Sequence, residues 1–341
     1  MAESDQETVS SIQSRVRALT PPGTRRATVI GAGSFGTALA VVLARGGLRT
    51  TLQARAEDQA RAIDEQRENA RYLPGVELPA ALKIEPASVG VARADYVFLA
   101  VPTSGIGDVI GALHAAGLGA RTAVVSTAKG LVPPDGLPPT MVLSARFGPR
   151  RVACLGGPAH AQEMVHAGAG LVAASAEEEL ASSLAQVILR AGIVCEVSND
   201  PVGVELAGAA KNAAALAAGA TDVQGLNAAG AGDLVATALA RDSRNRRAGE
   251  LLAAGMPASE IPQNIGQAVE ALESVPLLAA ALERAGVAAP VTGGLGRLIS
   301  GELPLDEWVA LVRTTVPPPA LWRRRPQPGL LRRMARAVKA P

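Results

Sequence analysis

The chain alternates short β-rich runs with helical stretches from Ala27 to about Asn199. Each run is apolar and short enough to be a buried strand, and the segment after it spaces its apolar residues as a helix does. This alternation predicts an α/β fold with a doubly wound, mostly parallel sheet of the Rossmann type. The predicted strands are 27–30, 50–53, 96–101, 122–126, 152–155 and 171–174.

The pattern changes near Pro201, where the strand signals end. Segments rich in alanine and leucine follow with helical spacing, which predicts a second, all-α domain. The predicted helices are 202–219, 233–241, 243–254, 265–285 and 305–313. The sequence thus divides into a loosely ordered leader (1–25), a Rossmann domain (26–199), a helical domain (200–315) and a tail (316–341).

Composition excludes several classes of protein. The formal net charge of +2 over 341 residues is too small to indicate nucleic-acid binding. The sequence lacks an apolar run of the about 20 residues that span a membrane, and its acidic start is unlike a signal peptide. Cys154 and Cys195 lie far apart without neighbouring metal ligands. We therefore expect a reduced, cytoplasmic protein that needs no metal and buries its cysteines in the core.

The tail is rich in proline and arginine. Its last residues also form a short basic amphipathic stretch, which would suit a helix that binds a membrane surface or a partner. The proline density and the terminal position favour the other interpretation, a solvated and poorly ordered tail.

A glycine turn follows the first predicted strand. Gly31, Gly33 and Gly36 form the pattern GxGxxG between the apolar strand and an alanine-rich helix. Gly31 allows the tight turn, Gly33 lets a pyrophosphate reach the backbone, and Gly36 lets the helix approach the strand. The helix N-terminus adds N–H donors and a partial positive charge. A merely structural turn is the alternative, but strand and helix flank the pattern as a dinucleotide site requires.

The end of the second predicted strand bears on the choice of cofactor. A site for NAD usually places an acidic residue there, about 20 residues after the glycines, to bind the ribose hydroxyls. Here Arg55 stands at that point, and the first acid is Glu57. An arginine pairs with the 2′-phosphate of NADP, so the sequence favours NADP. NAD is the alternative if Arg55 is an ordinary surface charge.

Two lysines stand out because their neighbours are small and apolar. Lys129 follows the strand 122–126 at the carboxyl edge of the predicted sheet, where ligands of such folds bind. Lys211 lies in an alanine-rich helix, where burial would lower its pKa towards the range useful for proton transfer. Each has an ordinary alternative, since Lys129 could face solvent from a loop and Lys211 could reach the surface.

A third polar cluster lies in the helical part. Asp233 follows the glycine-rich segment 229–232, Thr237 comes next, and Ser243, Arg244 and Asn245 open a predicted helix. A hydroxyl, a guanidinium and an amide at the start of a helix suit a phosphate monoester. A solvated face is the alternative for this arginine-rich run.

Together these segments resemble the bacterial NAD(P)-dependent glycerol-3-phosphate dehydrogenases. The matching motifs occur in the family's order over about residues 27–315, and their joint occurrence is specific where each alone is not. They are IGAGSFGTALA at 30–40, NARYLPG at 69–75, AKG at 128–130, GGPAHAQE at 156–163, AGAAKN at 207–212, AGAGDL at 229–234, SRNRR at 243–247 and GQAVE at 266–270.

The resemblance implies reversible reduction of dihydroxyacetone phosphate to sn-glycerol 3-phosphate by hydride transfer from NADPH or NADH, for glycerophospholipid synthesis. It implies that Lys211 is the proton donor. Further catalytic residues would be Lys129, Asn212, Asp233 and Thr237. The implied substrate contacts are Lys129, Gly157, Lys211, Asp233, Ser243, Arg244 and Asn245. The implied cofactor contacts are Gly31, Gly33, Ser34, Phe35, Gly36, Arg55, Lys129, Ala161, Arg244 and Glu270. We also expect a homodimer that binds no nucleic acid and inserts in no membrane.

Three departures from the family pattern keep other functions open. Gly156 and Ala159 stand where the family usually carries hydroxyl side chains. Only residues 223–228 separate Asp222 from the AGAGDL motif, where the family carries a further helical segment. The third departure is the tail. The alternatives are a divergent homologue that binds a dinucleotide with little or no catalysis, and a dehydrogenase of another hydroxy acid.

Overall fold

The protein folds into two compact units. A computed structural model describes residues 25–87, 91, 94–157, 159–166, 169–222 and 243–314. The first unit takes the chain up to Ala128 and the stretch Pro139–Glu205, and the second unit takes Lys129–Pro138 and the chain from Leu206 onward. The sequence-based boundary at residue 199 lies a few residues before this division. The division also assigns Lys129–Pro138 to the unit of the later helices.

The first unit is built on β-strands, most of which form one sheet. The strands are β1 (Arg26–Ile30), β2 (Arg49–Ala54), β3 (Glu68–Asn69), β4 (Leu73–Glu77), β5 (Lys83–Pro86), β6 (Tyr96–Leu99), β7 (Ala123–Ser126), β8 (Val152–Gly156), β9 (Gly170–Ser175) and β10 (Val194–Ser198). Eight of them pair in the order β10-β9-β8-β7-β6-β1-β2-β5, and β3 pairs with β4 as a separate hairpin. Within the large sheet only β8 and β9 are antiparallel. The predicted doubly wound, mostly parallel sheet is confirmed.

The strands that the sequence predicts are the buried ones. Every residue of β6 and β7 is buried, as expected for central strands of a sheet covered on both faces. The edge strand β10 instead exposes Val194 and Val197, and β5 has no buried residue. The sequence analysis missed β3, β4, β5 and β10, because strands with mixed or exposed residues carry no apolar run.

The helices of the first unit include one that is buried over most of its length. They are α1 (Ser34–Arg45), α2 (Glu57–Gln66), α3 (Ile106–Ala115), α4 (Pro139–Phe147), α5 (Ala161–His166) and α6 (Glu178–Arg190). In α1 the residues from Gly36 to Leu43 are all buried. They join Val29, Leu52 and Phe98 of the sheet in one apolar core, so the segment that follows the glycine turn is firmly anchored.

The second unit is helical in its described part. Its helices are most of α7 (Pro201–Asp222), then α8 (Arg244–Ala253), α9 (Ile261–Ile265), α10 (Glu270–Arg284), α11 (Pro290–Ile299) and α12 (Leu305–Thr314). Its core surrounds the fully buried Trp308, whose Nε1 donates to the Val291 carbonyl oxygen over 3.1 Å. A Cβ at Gly294 would lie 2.9 Å from Trp308 Cδ1, so α11 and α12 pack closely because that residue is glycine.

Two sequence-based expectations for these helices were wrong. The predicted helix 265–285 begins only at Glu270, because Gly266 adopts φ +74° and ends the short helix α9, which was not predicted. Helix α11 was missed, since its glycines hide the helical spacing. The predicted leader up to residue 24, the shortened region within 223–242 and the tail from 315 lie outside the described residues. Within the described ranges, we find no helix with both the length and the hydropathy to cross a bilayer.

Candidate active site

The glycine turn of the first unit has the geometry that its sequence predicts. Gly31 adopts φ +112°, and a Cβ there would collide with the Ala100 carbonyl oxygen. A Cβ at Gly36 would collide with the Gly31 carbonyl oxygen. A Cβ at Gly33, by contrast, would meet no atom within 4 Å. Gly31 and Gly36 therefore serve close packing, while the backbone at Gly33 borders open space.

The turn opens at a point where the strand order reverses. Strands β1 and β6 are neighbours, although β2 and β5 lie between them in the chain and on the other side of β1 in the sheet. Ligands of open α/β sheets bind at the carboxyl ends of strands at such a point. Helix α1 begins there at Ser34 and has no acidic residue in its first turn. The N–H groups of its first turn and its partial positive charge suit a pyrophosphate.

Arg55 lies next to this turn along the neighbouring strand. Gly31 N–H donates to the Gln53 carbonyl oxygen over 2.9 Å, which joins the turn to the end of β2. The chain then reaches Arg55, which is exposed. The side chain is free to move towards a ribose phosphate group without first leaving a buried position.

Asn69 anchors the turn from the hairpin side. Its buried side-chain Nδ2 donates to the Ala32 carbonyl oxygen over 3.0 Å and to Thr37 Oγ1 over 2.8 Å. One amide thus bonds both the turn and the first part of α1. The NARYLPG motif drew attention to this segment, but the sequence analysis assigned Asn69 no role. A buried position for a lone amide cannot be read from the pattern.

The second unit gathers a cluster of charged side chains. Lys129 and Lys211 are half-buried. Burial, followed by repulsion from Lys211 and Arg244, lowers the pKa of Lys129 to about 8, while Glu270 opposes that shift. Burial raises the pKa of the Glu270 carboxyl, and the charges of Arg244 and Lys129 oppose this. Lys129 thus has two cations, Lys211 and Arg244, and the Glu270 carboxylate as charged neighbours, and the described part of the cluster has an excess of positive charge.

Two hydrogen bonds link members of this cluster through the backbone of Lys129. Asn212 Nδ2 donates to the Lys129 carbonyl oxygen over 3.0 Å. The backbone N–H of Lys129 donates to the Glu270 carboxylate. The structure therefore brings together five residues that the sequence analysis singled out, namely Lys129, Lys211, Asn212, Arg244 and Glu270.

The predicted phosphate contacts lie at the start of α8. Ser243 is the N-cap, and its Oγ accepts a hydrogen bond from Arg246 N over 3.3 Å. Arg244 Nη1 donates to Gln267 Oε1 over 3.3 Å and to the Ala268 carbonyl oxygen over 3.2 Å. Asn245 is half-buried. These contacts orient the Arg244 guanidinium and hold the Ser243 hydroxyl at the start of α8.

The loop after β8 differs from the family pattern for a steric reason. A Cβ at Gly156 would collide with Val204 Cγ1, so a serine there would need Val204 to shift. Gly157 adopts φ +121° and passes close to Gly170 and Leu171. Ala159 is buried in the core of the first unit, and Ala161 packs against it. At the two positions without hydroxyl groups, Gly156 packs closely against Val204 and Ala159 packs in the apolar core.

A buried carboxylate that the sequence analysis missed lies near the start of α7. Glu205 accepts hydrogen bonds from Thr140 N over 3.1 and 3.0 Å and from Thr140 Oγ1 over 2.6 Å. Ser126 also donates to it. Burial raises its pKa to about 7 despite these bonds. An acid between Val204 and Leu206 in an apolar stretch was the available signal. Its contacts lie within the first unit.

Asp233 and Thr237 lie outside the described residues. Cys154 and Cys195 are free, and burial raises the pKa of the Cys154 thiol far above its usual range and that of Cys195 to about 11. Neither thiol is suited to be a nucleophile near neutral pH.

Comparisons of the sequence point to one family. The family model described as NAD-dependent glycerol-3-phosphate dehydrogenase N-terminus matches residues 26–181, and the corresponding C-terminus model matches residues 224–310. A glycerol-3-phosphate dehydrogenase [NAD(P)+] of Deinococcus radiodurans is 37% identical over 312 residues, covering 80% of this chain and 90% of the relative. One of Moorella thermoacetica is 35% identical and covers 83% and 93%, respectively.

A solved structure agrees with the sequence relatives. The crystal structure of glycerol-3-phosphate dehydrogenase from Coxiella burnetii has a TM-score of 0.78 to this protein at 26% sequence identity. The match covers 86% of this chain and 99% of that chain. Both the sheet and the helical part therefore have counterparts in this relative.

Proposed function

Since this chain belongs to the family of NAD-dependent glycerol-3-phosphate dehydrogenases, we propose that it reduces dihydroxyacetone phosphate to sn-glycerol 3-phosphate in a reversible reaction. The product would serve glycerophospholipid synthesis. The observation that carries the proposal is the set of charges around Lys129, which are the cations Lys211 and Arg244 and the carboxylate of Glu270. Three cations gathered in one part of the second unit favour a small substrate that carries a phosphate dianion.

The lysines supply the acid chemistry in this proposal. Lys211 gives the proton to the substrate oxygen, and Lys129 stabilises the negative charge that develops there. The pKa of Lys129, about 8, keeps this side chain mostly protonated at neutral pH. Ser243, Arg244 and Asn245 hold the phosphate, with Gly157, Asp233, Thr237 and Asn212 completing the proposed substrate site.

The nicotinamide cofactor, when bound, supplies the hydride. The open backbone at Gly33 and the acid-free start of α1 fit its pyrophosphate. Ser34, Phe35 and Gly36 belong to that same turn. We propose NADP as the preferred form, because Arg55 is exposed beside the turn and suits a 2′-phosphate. Ala161, Lys129, Arg244 and Glu270 are the other proposed cofactor contacts.

We further propose that the protein acts as a homodimer in the cytoplasm. The family resemblance supports the dimer, and the free cysteines with raised thiol pKa values fit a reducing compartment. Sedimentation of the purified full-length chain at two concentrations tests the dimer, and a single monomer mass at both would contradict it.

The reaction is tested by following NADPH oxidation with dihydroxyacetone phosphate. We expect turnover by the wild-type protein. Replacement of Lys211 by alanine should lower kcat by about 10²- to 10⁴-fold, the usual contribution of a positioned acid. The matched control is Lys83→Ala, which removes an exposed lysine of β5 and should leave kcat unchanged.

Three results would contradict the proposal. Folded wild-type protein that binds NADPH tightly without any turnover would instead support a dinucleotide-binding homologue without catalysis. Turnover that is unchanged in Lys211→Ala would remove this lysine from the reaction. Equal activity on a non-phosphorylated hydroxy-acid pair, independent of Arg244, would favour a different substrate class.

A further inference from the structure

The backbone of Lys129 is fixed from two sides. Its carbonyl oxygen accepts a hydrogen bond from Asn212 of α7, at 3.0 Å. Its N–H donates to the carboxylate of Glu270, the first residue of α10. Helix α10 thus holds the peptide group before the Lys129 Cα atom, and helix α7 holds the peptide group after it.

The side-chain stem of Lys129 also lies against α7. A Cβ added at Gly208 would stand 3.7 Å from both Cα and Cβ of Lys129, at ordinary van der Waals distance. Gly208 and Asn212 are four residues apart in the helix and therefore share one face. Lys211, three residues after Gly208, lies at the edge of that face. Glycine at 208 leaves the Lys129 stem close to the helix that carries Lys211.

We propose that Asn212 and Glu270 are positioning residues that clamp the Lys129 backbone and thereby aim its ammonium group beside Lys211. The proposal rests on the proposed function and deepens it, because it explains how a flexible lysine is held for the reaction. In this role Asn212 acts through Lys129, in addition to its proposed place in the substrate site. Glu270 likewise acts on the catalytic lysine, apart from any contact with the cofactor.

Clamping matters because Lys129 carries its charge on a long flexible stem. Fixing Cα removes the backbone part of that freedom before the substrate arrives. A misplacement of about 1 Å at a reacting group can cost about 10²-fold in rate. The two bonds therefore act on kcat more than on substrate affinity.

The two contributions of Glu270 can be separated by substitution. Glu270→Gln keeps a side-chain oxygen that can accept the Lys129 N–H but removes the negative charge. Glu270→Ala removes both. Asn212→Leu keeps a similar volume and removes the donor to the Lys129 carbonyl. The control is Glu273→Ala, which removes an exposed acid from the first turn of the same helix.

Hydrogen–deuterium exchange of the cofactor-free protein tests the clamp directly. The readout is the exchange rate of the peptide that covers residues 127–131. We expect Glu270→Ala to raise that rate about tenfold, since the Lys129 N–H loses its acceptor. In Glu270→Gln and Glu273→Ala this exchange rate should equal that of the wild type. In Asn212→Leu it should lie between the rates of the wild type and of Glu270→Ala.

Steady-state kinetics give the functional consequence. Asn212→Leu and Glu270→Ala should lower kcat about 10- to 100-fold with little change in the KM for dihydroxyacetone phosphate. Glu270→Gln should retain more of kcat. Its loss of activity at alkaline pH should begin at a lower pH than in the wild type, because the carboxylate no longer favours the protonated form of Lys129.

The outcomes distinguish this proposal from the proposed function. Unchanged exchange of residues 127–131 in both Glu270→Ala and Asn212→Leu would overturn the clamp, even if activity falls. A wild-type protein without turnover would overturn the proposed function, while the exchange experiment would still decide whether the clamp exists.

Discussion

At the scale of single residues, Arg55 is expected to select the cofactor. Its exposed side chain follows β2 next to the glycine turn. A hydrogen bond to a charged group contributes about 1.5–3 kcal/mol, so losing the pairing with a 2′-phosphate should matter. We expect Arg55→Glu to shift the ratio of kcat/KM for NADPH over NADH towards NADH by roughly 10- to 100-fold.

The control for this charge change is Arg61→Glu. Arg61 is an exposed residue of α2, in the same unit, and its replacement changes the net charge equally. It should leave the cofactor ratio unchanged. An equal shift in both variants would indicate a general effect of charge, and no shift in Arg55→Glu would show that this residue is not the selector.

Residue identities were more predictable than their contacts. The sequence singled out Lys129, Lys211, Arg244 and Glu270, and the structure places the other three charges close enough to Lys129 to shift its pKa. It could not show that the Asn212 amide turns to the Lys129 carbonyl, because that bond joins positions 83 residues apart. Nor could it show how far the pKa of Lys129 is lowered, since desolvation depends on neighbours that the fold brings in.

At the scale of elements, the hairpin of β3 and β4 is tied to the cofactor turn through Asn69. This buried amide donates to both the Ala32 carbonyl and Thr37 Oγ1. We expect Asn69→Leu to cost about 1–3 kcal/mol of unfolding free energy, because two acceptors lose their donor. It should also weaken NADPH binding about tenfold, measured by calorimetric titration, since the Ala32 peptide is no longer held.

Thr37→Val separates these two effects. This variant removes one acceptor of Asn69 inside α1 but keeps the bond to Ala32. It should destabilise the protein without changing the affinity for NADPH. If Asn69→Leu binds NADPH as tightly as the wild type, the hairpin does not support the turn.

Element types were predictable wherever one residue pattern dominated. Buried strands such as β6 and β7 are continuous apolar runs, and β1 is followed directly by the glycine pattern. The end of α9 was not predicted, because Gly266 lies within an otherwise regular helical spacing and ends the helix by adopting a positive φ. Glycine in a helical pattern is compatible with either a helix or its end, and packing decides between them.

At the scale of the whole molecule, the buried carboxyl of Glu205 should make stability depend on pH. Its pKa is raised from 4.5 to about 7, mainly by burial. Between these values the unfolded chain loses the proton while the folded protein keeps it, so unfolding becomes easier as pH rises. We expect the unfolding free energy to fall by up to about 3 kcal/mol from pH 5 to pH 7.5.

Urea unfolding at several pH values tests this expectation. Glu205→Gln has no titrating proton and keeps an oxygen for Thr140 N–H, so its stability should change much less over this range. Glu65→Gln, which replaces an exposed acid of α2, should follow the wild type. A wild-type protein whose stability rises from pH 5 to pH 7.5, or the same fall in Glu205→Gln, would contradict the assignment.

The overall architecture was predictable because alternating patterns constrain a parallel sheet strongly. The membership of Lys129–Pro138 in the second unit was not, since this segment lies between two strands of the first unit, β7 and β8, in the chain. Local sequence gives no sign of which distant helices will pack against such a segment.

That interleaving constrains how the gene for this chain can recombine with the gene for a relative. A single crossover near codon 200 would join the helices of one parent to a Lys129–Pro138 segment from the other. It would also cut inside or just before α7, whose residues are divided between the units after Glu205. Functional chimeras should therefore need a second exchange that carries codons 129–138 along with the helical part.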